Sequence, residues 1–154
     1  MRLTRTLKFA VMTAAVTGAS IRLHADPAAV RFTVDGAEAH DTVTNLTWQR
    51  CSVGQHWTRT GCVGVVRQMS WTEAMHQGRN GWRLPTKDEL LTLVAPAARD
   101  PAIDEQVFPD MEINKLWYWS GTEYGSSAWY VAFGSGSAHT AILIDTYAVR
   151  LVKK

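Results

Sequence analysis

The chain lacks most of what announces a catalytic centre. It contains no Gly-x-Ser-x-Gly, no His-Glu-x-x-His and no cluster of ligands at metal spacing, and its five histidines are scattered. The familiar serine-hydrolase and zinc-peptidase patterns are therefore absent, and neither a metal nor a cofactor is expected. Charge of one sign is lacking too: 16 Lys and Arg stand against 14 Asp and Glu. No apolar run reaches the roughly 20 residues that cross a bilayer as a helix. No repeat, low-complexity tract or block of like charge divides the 154 residues. These absences argue against a repeat array, a helical membrane protein and an electrostatic nucleic-acid binder.

The small excess of basic residues has a local origin. Arg2, Arg5 and Lys8 precede an apolar stretch from Phe9 to Gly18, and a more polar segment ends at Leu23-His24-Ala25. A basic start, a short apolar middle and a small residue at the cut have the form of a secretory signal peptide. Residues 1–25 are expected to be removed, with a cut after Ala19 as the other reading. Loss of Arg2, Arg5, Lys8 and Arg22 leaves 12 Lys and Arg against 14 Asp and Glu, a net charge of −2. The expected mature chain, residues 26–154, is the size of one domain with one core. All seven Trp lie in it, so an aromatic core is expected.

Cysteine is scarce: Cys51 and Cys62 are the whole supply. In an oxidising compartment an even, closely spaced pair reads first as a disulfide. Such a loop of about a dozen residues contributes roughly 3 kcal/mol on the chain-entropy estimate. His56 alone is a poor complement for a tetrahedral metal site, and the spacing is not that of a Cys-x-x-Cys redox pair. A Cys–His nucleophile remains the minor alternative.

Local patterns place the elements. "VRFTVDG" alternates and ends in Asp35-Gly36, a strand and turn. "TVTNLTWQR" continues the extended pattern with Val43, Leu46 and Trp48 as anchors, and Asn45-Leu46-Thr47 fits a glycosylation sequon. Ser70-Trp71-Thr72-Glu73 and Thr86-Lys87-Asp88-Glu89 are two capping boxes, each followed by a helical pattern. The first helix is expected to stop at Gly78 and the second at Pro96. Asp88 and Glu89 also suit the positive end of a helix dipole, so capping accounts for both acids and an acid–base couple is the lesser reading. "LWYWSGT" puts Trp117 and Trp119 on one face and Tyr118 on the other. "AWYVAF", "TAILID" and "YAVRLV" read as further strands, joined by the turn-like "GTEYGSS" and "GSGSAH". Helices in the middle and strands at both ends predict an α+β domain, with the first and last strands paired.

These blocks, in this order, resemble a bacterial family, the Lcl C-terminal domain. The resemblance runs over residues 41–152 and is carried by "LTWQRCSVGQHW…CVG", "MSWTEAM", "GWRLPTKDELLTLV", "PAIDEQVFP", "YWSGTEY", "AWYVAF" and "YAVRLV". It implies an exported domain of unknown function with a C-type-lectin-like fold, two helices packed on a twisted antiparallel sheet, related to formylglycine-generating enzymes. It also implies adhesion to host or matrix glycans in at least one context. Two departures limit the transfer. No Cys follows Cys62, against the late cysteine pair of the formylglycine-generating relatives. The Glu-Pro-Asn, Gln-Pro-Asp and Trp-Asn-Asp calcium and sugar motifs of C-type lectins are missing.

The functional expectation is thus an exported, non-enzymatic recognition or adhesion module, periplasmic or at the cell surface. Its partner would be a glycan or protein ligand met on the segments after residue 119. Glu123, Tyr124, Ser126 and Ser127 from one loop, with Ser135, Ser137 and His139 from the next, are the candidate contacts. A structural subunit of an envelope assembly is the alternative, and an enzyme on the same fold the third reading.

Overall fold

The computed structural model describes residues 30–95, 101–110 and 117–154. The expected signal segment 1–25, its cleavage site and Pro96 lie outside the described residues.

The chain begins with a meander. β1 (Phe32–Asp35), β2 (Glu38–Asp41) and β3 (Leu46–Gln49) are short strands, each antiparallel to the next. Gly36, at φ 51°, makes the tight turn between the first two. A hairpin follows, β4 (Gln55–Thr58) with β5 (Gly61–Gly64). Two single-turn helices come next, α1 (Trp71–Met75) and α2 (Lys87–Leu91). The last third holds β6 (Trp117–Tyr124), β7 (Ser127–Ala132) and β8 (Ser137–Ile142), then β9 (Val152–Lys153). The strands form three antiparallel sheets, ordered β1-β2-β3-β9, β4-β5 and β6-β7-β8.

Both capping boxes form. The Ser70 and Thr86 hydroxyls accept from the Glu73 and Glu89 amides, and each Glu carboxylate accepts the amide of its own cap residue. Yet each helix has only five residues. That overturns the expected fold class, in which two helices pack on one twisted sheet. A five-residue helix offers about one turn and cannot cover a sheet face. The architecture is mostly β, in three small sheets, with the helices serving as corners.

Other expectations shift for equally local reasons. The final strand pairs with β3 and not with β1, which lies at the far edge of the first sheet. Val43 is 75% exposed in the turn before β3, whereas Leu46 and Trp48 are buried. The strand expected over "TAILID" begins earlier, at Ser137.

The core divides in two, and β6 explains why. Successive strand side chains point to opposite faces. Tyr118 enters one cluster with Trp48, Leu90, Phe108, Val131, Phe133 and Val152. Trp119 enters the other with Met69, Trp71, Leu84 and Val149. Beneath the first cluster lies a buried ion pair, Arg150 with Asp110, both fully enclosed. Arg150 also donates to the Gln49 and Arg50 carbonyls, and Asp110 accepts the Ser52 amide. The Ser52 hydroxyl meets the Tyr118 hydroxyl at 2.8 Å. Burial pushes the Tyr118 phenol up to about 12.

Candidate functional site

The seven candidate contacts do not form one cluster. Glu123 and Tyr124 end β6, Ser127 opens β7, and Ser137 and His139 lie within β8. Ser126 sits in the two-residue turn after Tyr124, and Ser135 in the turn before β8. In the register, Tyr124, Ser127 and Ile142 share one end of the sheet, whereas Trp117, Ala132 and Ser137 share the other. Five residues of strand separate those ends, about 16 Å. Turn-rich composition had suggested two loops, but the chain reverses in two residues at Gly125-Ser126 and in the four-residue turn 133–136, and spends the rest as strand.

What the sheet does bring together is a row of rings on one face. Trp119 pairs with Tyr130, and Tyr130 with His139, across the three strands. Tyr147, from the segment before β9, lies against Trp117 at 5.7 Å between centroids and against Trp119 and Tyr130 at 4.6 Å. The imidazole of His139 lies 5.6 Å from the Tyr130 ring. Trp119 is the floor, fully buried, with its indole N–H on the Met69 carbonyl at 2.9 Å. Trp117 and His139 are exposed at the two ends, and Tyr130 and Tyr147 are half-buried between them.

Polar groups border the row. His139 Nε2 meets Ser137 Oγ at 2.9 Å, and Ser137 Oγ meets Ser135 Oγ at 2.5 Å. Burial, then the neighbouring Tyr130 and Asp145, pushes the Tyr147 phenol up to about 12, so it stays a neutral donor at physiological pH. Three of the seven candidates thus border this face, while Trp117, Tyr130, Asp145 and Tyr147 were missed as site residues. The alternation in "LWYWSGT" was the available signal for Trp117. Of the other four, Tyr124 and Ser127 lie on the opposite face, where the Tyr124 ring meets Trp129 at 5.6 Å and the Lys87 ammonium lies 4.9 Å from the Trp129 ring. Glu123 instead pairs with Ala128 on the row's own face at the far end, and Ser126 sits in the turn.

A second feature is a groove of about 270 Å³ between the β4–β5 hairpin and the first sheet. Trp57, Trp82, Glu38, Gln49, Gln55 and His56 line it. The Cys51–Cys62 disulfide forms, and Cys62 stands directly opposite Trp57 in the hairpin, so the bridge ties that wall to the end of β3. A more open depression runs along α1, but its polar groups satisfy one another: Arg67 with Gln77, Glu73 with Ser70, His76 with the Thr72 carbonyl. Among the described residues no three His, Cys, Asp or Glu side chains converge as metal ligands. Among them, too, no helix is long and apolar enough to cross a membrane.

The fold thus defines a small disulfide-clamped β domain with two aromatic surfaces outside its core. The Lcl C-terminal domain family model matches residues 37–153, and the chain belongs to that family. No curated protein matches it.

Proposed function

We propose that this protein is an exported recognition module, without catalytic chemistry, that holds a glycan or protein ligand on the aromatic face of the β6–β8 sheet. The observation that carries the reading is the row Trp117, Tyr147, Tyr130 and His139, laid over a buried Trp119. Large rings that have already lost their rotamer freedom bind flat or apolar groups at low entropic cost. The Tyr147 hydroxyl, Asp145 and the Ser135–Ser137–His139 chain then supply orientation at the rim. The Ser137–His139 contact fits this role, since it sets the imidazole against Tyr130. The disulfide suits an oxidising compartment, in keeping with export.

The test is a glycan array and a peptide pull-down with the wild-type chain, followed by titration of any hit against Trp117→Ala and His139→Ala. Each change is expected to weaken binding about tenfold, the worth of one aromatic contact, with the circular dichroism spectrum retained. No ligand at millimolar concentration, or a ligand indifferent to both changes, removes the proposal.

An assembly role is the second reading, and one observation favours it. β8 borders its sheet with no Lys or Pro along it, and Tyr124, Ile142 and Ile144 are 62%, 54% and 78% exposed nearby. Unprotected edges of this kind accept partner strands. A monomer in size-exclusion chromatography with light scattering, at high protein concentration, argues against self-assembly through this edge.

A further inference from the structure

We infer that the groove between the β4–β5 hairpin and the first sheet is a second ligand site, separate from the aromatic face, and that it takes a single uncharged sugar ring. Its walls are rigid before any ligand arrives. The Arg50 guanidinium lies 3.7 Å from the centre of the Trp57 ring. Arg50 is itself fixed by the carbonyls of Val107, Gly36 and Gln106. The Lys153 ammonium lies 4.5 Å from the centre of the Trp82 ring, and Glu38 holds that ammonium at 2.9 Å. Trp57 belongs to neither core cluster and remains only half-buried, so the fold gains little by placing an indole there.

Charge selects the ligand. Both cations already occupy an indole face, and each is spoken for, Arg50 by carbonyls and Lys153 by Glu38. An anion therefore finds no unpaired cation in the lining and meets the Glu38 carboxylate there, while a cation must compete with Lys153 for that same carboxylate. A neutral ligand meets neither cost.

The polar lining selects further, because it is rich in acceptors. Gln55 Oε1 is covered by its surroundings and accepts no hydrogen bond within the protein. The Glu38 carboxylate and the Gln49 amide add acceptors beside it. The Gln55 oxygen lies out of a ligand's reach, whereas the carboxylate and amide of Glu38 and Gln49 in the lining can accept from a ligand that donates. Sugar hydroxyls donate, and the C–H face of a pyranose stacks on an indole. A proline-rich segment also fits aromatic walls, but proline has no N–H to donate. The volume, about 270 Å³, falls just below the ~300–1,000 Å³ of sites for drug-sized ligands. One ring, not a long chain, is what it encloses.

The test is tryptophan fluorescence and saturation-transfer NMR on the whole chain, titrated with neutral monosaccharides and disaccharides, a sulfated disaccharide and a proline-rich peptide. At least one neutral sugar is expected to bind with millimolar affinity. Trp57→Ala should weaken it tenfold or more, and Gln49→Ala several-fold. Gln49→Ala, at the partly exposed rim, keeps the test open if Trp57→Ala fails to fold. Trp117→Ala and His139→Ala should leave this binding unchanged, which separates it from the aromatic face. Binding of the sulfated sugar or the peptide alone, or no binding by any probe, overturns the inference.

Discussion

Asp110→Ala is expected to be among the most damaging single changes available in this chain. Arg150 and Asp110 are both fully buried, and the guanidinium cannot shed its proton to escape the loss of its counter-charge. Removing one partner of such a pair costs about 3–5 kcal/mol, because an uncompensated charge stays inside. The Ser52 amide also loses its acceptor, which adds about 1 kcal/mol or more. A domain of this size holds about 5–15 kcal/mol in all, so the variant should sit near the edge of folding. Guanidinium denaturation followed by tryptophan fluorescence measures it, with a lower midpoint and an unchanged slope if the transition stays two-state. At about 4 °C per kcal/mol, a total of about 4–6 kcal/mol should lower the melting temperature by roughly 16–24 °C. Asp110→Asn keeps the shape and one acceptor, and should lose less. Pairing Asp110→Leu with Arg150→Met removes both charges and should recover part of the loss. A loss below about 1 kcal/mol for Asp110→Ala would refute the reasoning. It would mean that the remaining partners of Arg150, the Gln49 and Arg50 carbonyls among them, can carry the charge.

Two further outcomes follow from the same logic. Glu89→Ala should cost about 0.5–2 kcal/mol through lost capping, with loss of the half-buried, two-bond pairing to Arg83 adding up to about 1 kcal/mol. The Arg83 hydrogen bonds hold the Glu89 carboxyl below its ordinary 4.5. Its contribution is therefore complete above pH 4.5 and is lost as pH falls through the lowered folded value. Wild-type and variant stabilities, measured by urea denaturation across that range, should converge in acid. Cys62→Ser with Cys51→Ser should cost roughly 3 kcal/mol. It should also increase the solvent quenching of Trp57 more than that of Trp119, which sits in the core away from the hairpin.

How far the residues themselves disclosed this arrangement depends on the range of the interaction. The capping boxes, the disulfide and the facing of Trp117, Tyr118 and Trp119 are all set within a few residues, and each was readable. Helix length was not, because the apolar spacing after Glu89 continues through Leu93 while the α-helix ends at Leu91, with Thr92 its cap and only i→i−3 bonds from Leu93 on. Leu93 is buried all the same, carried into the core by the turn that follows. The loop placement of several candidate contacts gave way for the same reason in reverse. Glu123, Tyr124, Ser127, Ser137 and His139 in "GTEYGSS" and "GSGSAH" look like loop, but cross-strand pairing draws them into strands and leaves only Gly125-Ser126 and residues 133–136 as turns. The Trp57–Trp82 groove depends on residues 25 positions apart meeting across a hairpin, a sheet edge and β9, and no local pattern carries that.

The stretch "GWRLPTKDELLTL" serves in this structure as scaffold between two sheets. The Arg83 backbone pairs with Val152 of β9, which belongs to the first sheet. Two residues later the Pro85 carbonyl accepts the Gly121 amide of β6, and the Lys87 amide donates to the Thr122 hydroxyl, both in the third sheet. Between these anchors Leu84 is buried, and the Arg83 guanidinium grips Glu89 at 2.7 and 2.6 Å. Five residues therefore join two sheets that share no strand, and the capping box fixes the angle at which the chain leaves. Any substitution there disturbs the placement of both sheets at once, whereas His56, Trp57, Trp117 and His139 project from elements already held. Trp82 is the point where the two roles meet. Its position follows from the junction, yet its ring forms one wall of the groove. A Trp82→Leu change should consequently spare most of the stability, through its remaining apolar contact with the second cluster, while removing the stacking surface opposite Trp57.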